Sequence, residues 1–177
     1  MGERLARLLA ARTGARAVRV LDLAPLGGGA IQENWRLDAD FEGGRLDGCQ
    51  ALVLRTDAPS AVPFSLSRAQ EFRVLEAAFA AGVAVPEPLL LEEDPAVIGR
   101  PFHIMRRVEG VAAGHRLVRM AMAEAAREAL VERLGAELAR IHAVRPPRED
   151  LAFLPLPQRP AAAERIARYR RSLDALA

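Results

Sequence analysis

The sequence predicts an α+β fold: a five-stranded antiparallel sheet with one helix packed on it, followed by a helical segment. Three observations carry this. Three apolar runs between Val18 and Arg55 are separated by glycine-rich turns. A capped helix beginning near Ser67 leads into two further short runs bounded by prolines and glycines. From Met122 onward the strand signals stop and helical periodicity takes over.

Taken in order, Glu3 to Ala11 places Leu5, Leu8 and Leu9 at helical spacing, and Gly14 ends that helix. Val18, Val20, Leu21 and Leu23 mark a strand running to Pro25. Leu26-Gly27-Gly28-Gly29-Ala30 is a turn. From Ile31 to Phe41, Trp35, Leu37 and Ala39 alternate with Asn34, Arg36 and Asp38, the period of a strand. Glu42 to Gly48 is a hairpin connection, and Ala51 to Arg55 is the third strand of an antiparallel meander. Ser67 is a good N-cap, Gln70 completes a capping box, and Gly82 closes the helix about four turns later. Val83 to Pro88 is extended, because residues before proline avoid the helical region. Leu89 to Leu91, and Phe102 to Met105 with Val108, are the last strands. Beyond them, Ala123 to Ala143 carries Leu130, Leu134, Leu138 and Ile141 on one helical stripe, stopped by Arg145-Pro146-Pro147. A proline-rich connector, Leu151 to Pro160, precedes a last helix with Ile166, Tyr169 and Leu173 facing one way. The division is therefore a mixed lobe over 1–108, a linker over 109–122 and a helical part over 123–177.

Composition narrows the function. All 25 basic residues are arginine, so any task usually given to lysine falls to a guanidinium or to nothing. The net charge of +2 is spread along the chain, and no basic block is interleaved with aromatics, which argues against a nucleic-acid partner. Cys49 is the only cysteine, no apolar run reaches membrane-spanning length, and the amphipathic N-terminus is not a signal peptide. The expectation is a cytoplasmic protein with no membrane partner.

The helix starting at Ser67 matters most. Glu71, Leu75 and Phe79 are spaced i, i+4, i+8, flanked by Phe72 and Ala78, so Glu71 heads the inward face. An inward carboxylate needs a partner. Arg55, at the end of the preceding strand, is one. At ~4 Å and an effective dielectric near 20 the gross attraction is roughly 4 kcal/mol, largely offset by desolvation. Stability is thus a poor reason for the pair, and a charge placed to hold a phosphate is the functional reading. The structural reading is an acid favoured in the first turn by the helix dipole, with Arg68 or Arg73 as partner. The turn at Gly27-Gly28-Gly29 allows close approach of backbone to a phosphate and equally suits a plain hairpin. Met105-Arg106-Arg107-Val108 leaves the sheet with backbone groups that either pair with a flat heterocycle or simply connect. His103 alternates with Phe102 and Ile104 and is expected on a solvent or cleft face. His115 and His142 have no metal-ligand spacing to it or to each other.

Read together, these stretches resemble the aminoglycoside phosphotransferase and choline kinase-like family, which shares the protein-kinase fold. The resemblance runs through Leu26 to Trp35, Leu52 to Arg55, Glu71 to Leu75, Val85 to Pro88, Glu93 to Met105, Val108 to Gly110 and Leu134 to His142. It is strongest to the branch whose relatives are fused to acyl-CoA dehydrogenases. It implies a kinase-like nucleotide-binding N-lobe followed by the first helices of a helical C-lobe, with ATP and Mg2+ as cofactors and a small molecule as acceptor. Gly28, Gly29 and Ala30 would belong to the loop over the nucleotide, Arg55 would replace the phosphate-holding lysine, and Glu71 would orient it. Met105 would stand behind the adenine, and the backbone of Arg106 and Val108 would pair with its edge.

Two departures accompany the resemblance. Arg55 keeps the charge of the usual lysine but not its shape. The family's H-x-D catalytic loop and later metal ligands have no counterpart, since His142-Ala143-Val144 lacks the Asp. No catalytic residue is therefore assigned here; base and metal ligands are expected beyond Ala177, and this chain alone is expected to be inactive. The alternative is a non-catalytic interaction module derived from such a lobe. The apolar stripes of the last helices lead us to expect a homodimer or larger.

Overall fold

The alternating runs form three long strands, β1 (Ala17–Leu26), β2 (Gln32–Glu42) and β3 (Gly48–Asp57), joined as a meander. Two short strands follow the central helix: β4 (Pro88–Glu92) and β5 (Phe102–Arg106). The computed structural model describes residues 1–27, 32–58, 65–111, 114–156 and 160–174. Its sheet has the order β1-β2-β3-β5-β4, and each neighbouring pair is antiparallel. The α+β expectation of a five-stranded antiparallel sheet with helices is met.

Alternation gives this sheet two faces. Leu37, Ala39 and Phe41 of β2, Leu52 and Leu54 of β3, and Phe102 and Ile104 of β5 pack with Leu5 and Leu9 of α1 (Gly2–Thr13). Burying a leucine of this kind contributes about 1.5–3 kcal/mol. The intervening residues Arg55, Asp57 and His103 point the other way, toward α2 (Arg68–Ala80). Both faces of the centre are therefore covered. This overturns the reading of His103 as a solvent or cleft residue: Phe102, His103 and Ile104 are all buried, because an inner strand between two helices has no wet side.

α1 stops at Gly14, whose φ of 73° is left-handed. The β2–β3 turn presses against that end. A Cβ on Gly44, where φ is 77°, would stand 2.6 Å from Ala15 N and Thr13 O, so only glycine fits. α2 begins with the expected capping box: Gln70 N donates to Ser67 Oγ, and Ser67 N donates to Gln70 Oε1. Its rotation differs from the predicted stripe. Arg68, Phe72 and Ala77 are buried, while Phe79 is 45% exposed.

Met1–Val144 and Arg145–Ala177 form two compact units. In the first, α3 (Gly114–Arg119) forms within the stretch expected as linker, and α4 (Glu124–Ala143) follows. α4 has no fully buried residue, but Glu137 Oε2 accepts the Ala84 N–H at 2.8 Å. The second unit contains a 3-10 turn (Glu149–Leu151) and α5 (Ala161–Asp174).

Candidate functional site

β3 and α2 meet through charge. Arg55 and Asp57 are two residues apart on a strand and share a face; Arg68 and Glu71 are three apart on a helix and share a stripe. The four side chains alternate in sign. Arg55 Nε donates to Glu71 Oε1 at 2.9 Å, and Arg55 Nη2 lies 2.8 Å from the same oxygen. Arg68 Nη1 pairs with the other oxygen, Glu71 Oε2. Arg68 Nε is 2.8 Å from Asp57 Oδ1, and its Nη2 donates to the Leu66 carbonyl at 3.0 Å. The partners weighed from sequence are thus not exclusive: Arg55 and Arg68 share Glu71, one oxygen each, while Arg73 turns to Glu76 at 2.8 Å.

The β2–β3 register adds two amides. Asn34 lies opposite Arg55 and Gln32 opposite Asp57. Arg55 Nη1 donates to Asn34 Oδ1 at 3.0 Å, and Nη2 donates to Gln32 Oε1. Each nitrogen of the guanidinium therefore has a side-chain acceptor, and only the remaining N–H groups are left for anything else.

Burial pushes both guanidinium groups below their ordinary value, with the charge of Asp57 pulling each back up. Arginine stays cationic through shifts of this kind. The imidazole beneath them responds more strongly. Burial, then the positive charges of Arg68 and Arg55, push His103 down to about 4, so it is neutral near pH 7. Its ring stacks at a tilt against Phe72, centroids 5.7 Å apart, and Nδ1 has no hydrogen-bond partner among the described residues.

The remaining sequence-marked residues fall as follows. Gly28, Gly29 and Ala30 lie outside the described residues. Met105 is half-buried on β5, two residues from His103 and so on the α2 side of the sheet. Arg106 N donates to the Glu87 carbonyl at 2.9 Å, and its side chain reaches Glu87 and Gln50 at 2.8 Å each. Val108 is exposed. Sequence reasoning missed Gln32, Asn34 and Asp57. It missed the burial of Arg68 as well, although R-x-D on the strand and R-x-x-E on the helix were there to be read. Among the described residues no three His, Cys, Asp or Glu side chains are grouped to hold a metal ion. Asp57 and Glu71 are both held by arginine. No helix among the described residues is long and apolar enough to cross a membrane.

Relatives with known names match parts of the chain. The rat acyl-CoA dehydrogenase family member 11 is 41% identical over 64 residues, 36% of this chain and 8% of that protein. The human protein of the same name is likewise 41% identical over 64 residues. Mouse acyl-CoA dehydrogenase family member 10 is 31% identical over 100 residues, 56% of this chain and 9% of its own. The chain thus spans less than a tenth of the length of these curated relatives. A solved structure of an inferred aminoglycoside phosphotransferase from Ralstonia eutropha JMP134 is 25% identical, covers 63% of this chain and 29% of that one, and superposes with a TM-score of 0.44. The model of the phosphotransferase enzyme family, whose members use ATP and generally Mg2+, matches residues 22–177. That match takes in every strand from β2 to β5, both arginines and Glu71, and on it the chain belongs to the phosphotransferase enzyme family.

Proposed function

We propose that this chain supplies the nucleotide-binding part of an ATP-dependent phosphotransferase that transfers a γ-phosphoryl group to a hydroxyl of a small molecule. One observation carries the reading: Arg55, at the end of β3, is held on Glu71 of α2 at 2.9 Å. Phosphoryl transfer asks a protein for little covalent chemistry and for much fixed positive charge. A guanidinium oriented by a helix carboxylate, with N–H groups beyond those bound to Glu71, Asn34 and Gln32, fits the phosphates of ATP. Gly28, Gly29 and Ala30 are assigned to the covering turn and Met105 to the back of the adenine. The Arg106 N–H is already taken by Glu87, so the adenine edge is left to the Arg106 carbonyl and the Val108 N–H. In this reading 1–108 is the nucleotide lobe, 109–122 the connector and 123–177 the beginning of the helical lobe.

The described residues do not fit Mg2+, since no set of ligands converges. We assign the metal ligands and the catalytic base to a part of the parent protein outside this chain, and expect the chain alone to bind nucleotide weakly and turn nothing over. A cytoplasmic setting suits its single Cys49.

Titrating the 15N-labelled chain with ATP tests this. Shifts are expected at the Arg55 Nε–H and at the amides of 105–108, with no ADP formed. Shifts absent from both places overturn the nucleotide reading, and ADP formation by this chain overturns the placement of the base. A second reading, an interaction module that has kept only the lobe, is favoured by the side-chain acceptors already on all three nitrogens of Arg55. It predicts an intact fold and no response to ATP.

A further inference from the structure

Among the described residues Arg68 is the one buried arginine, and its side chain is wholly out of solvent. Taking such a charge out of water is costly, and a well-packed apolar residue in its place is often as stable or more so. Stability is therefore a weak reason for an arginine here. What this one does is divide Glu71. It holds Oε2, so that Oε1 alone meets Arg55. Freed of Arg68, the carboxylate would face Arg55 with both oxygens, the preferred fork-on-fork geometry. That would turn the guanidinium plane away from Asn34 and Gln32. Asp57 fixes Arg68 in turn, and it sits on β3 two residues from Arg55, so strand and helix are tied at two points.

We propose that Arg68, anchored on β3 by Asp57, is a positioning residue that holds Glu71 to a one-oxygen contact with Arg55 and thereby sets the plane of the Arg55 guanidinium. Its effect on ATP binding rests on the nucleotide reading above; its effect on Arg55 does not.

The test uses the full 177-residue chain, 15N-labelled, comparing wild type, R68M and R68K by the Arg55 Nε–H signal, its exchange with water and an ATP titration. R68M is expected to keep the amide spectrum of the sheet, to shift the Arg55 Nε–H signal, to speed its exchange about tenfold and to weaken ATP binding about tenfold. R68K returns charge without the fork and restores these in part. A merely structural role would lower the unfolding midpoint and leave the Arg55 signal in place. Arg55 exchange within about twofold of wild type in folded R68M overturns the proposal. Should R68M not fold, D57N decides: it keeps both arginines and Glu71, and is expected to move the Arg55 signal in the same direction by about threefold in exchange, with no change overturning the proposal. If wild type shows no response to ATP while its Arg55 signal responds to R68M, the nucleotide reading falls and the positioning role stands.

Discussion

Two helices with the same kind of leucine pattern end in opposite situations. α1 carries Leu5 and Leu9, 0% and 1% exposed; α4 carries Leu134 and Leu138, 59% and 52% exposed. Each has an apolar side. The difference is what lies opposite. α1 rests on a sheet face lined with Leu37, Leu52 and Leu54, whereas α4 reaches the mixed layer through a carboxylate on a backbone N–H at Ala84. In the second unit α5 repeats the situation of α4, with Ile166, Tyr169 and Leu173 exposed. Periodicity states that a helix has an apolar stripe; it does not state which surface covers it.

The sharpest way to break this comparison is to shorten one leucine on each helix. Leu9→Ala should cost about 2–5 kcal/mol, because the sheet face cannot collapse onto the gap. Leu138→Ala should stay within about 0.5 kcal/mol. Urea midpoints decide it, and a cost at Leu138 equal to that at Leu9 would mean that α4 is packed after all.

The next effect comes from His103. Its folded pKa of about 4 lies below the ordinary value of 6.5. Between the two, the unfolded chain binds the proton and the folded chain does not, so stability falls as the pH drops through that window. The contribution of the neutral ring is complete above the ordinary value and is on the order of 3 kcal/mol. His103→Gln should flatten the slope of urea midpoint against pH between about 4 and 6.5. An unchanged slope would show that the folded chain does not hold the buried ring at a lowered pKa.

A smaller change is expected at the helix start. Ser67→Ala removes one half of the capping box and should cost about 1 kcal/mol, read from the same midpoints. The smallest effect per residue concerns association. On the expectation that the exposed stripes form an interface between copies of the chain, sedimentation should show concentration-dependent association that Leu134→Glu with Leu138→Glu weakens. A monomer at every concentration would break the reading of those stripes as an interface.

Much of the fold was legible because its signals are local. Alternation from Asn34 to Ala39, the Ser67–Gln70 cap and the glycines at 14 and 82 each fix an element without help from distant residues. The Arg55–Glu71 contact was legible for a related reason: the cap sets where α2 begins, and the strand end sets where the cation stands. The burial of Arg68 was not, since a charged residue next to a cap looks solvated until two carboxylates are known to surround it. Phe79 failed in the complementary way, as an aromatic at the right spacing that stays 45% exposed.

By itself the sequence determined the order of the five strands and the helix between them, the meander, and the meeting of Arg55 with Glu71 across β3 and α2. Only the tertiary structure decided the rotation of α2, the burial of Arg68 and His103, and the exposed sides of α4 and α5. The physical reason is one of range. Caps, turns and alternation act within a few residues along the chain. Burial depends on what the sheet brings together from residues dozens of positions apart, as when Arg55, Arg68 and His103 come to lie in one layer between strand and helix.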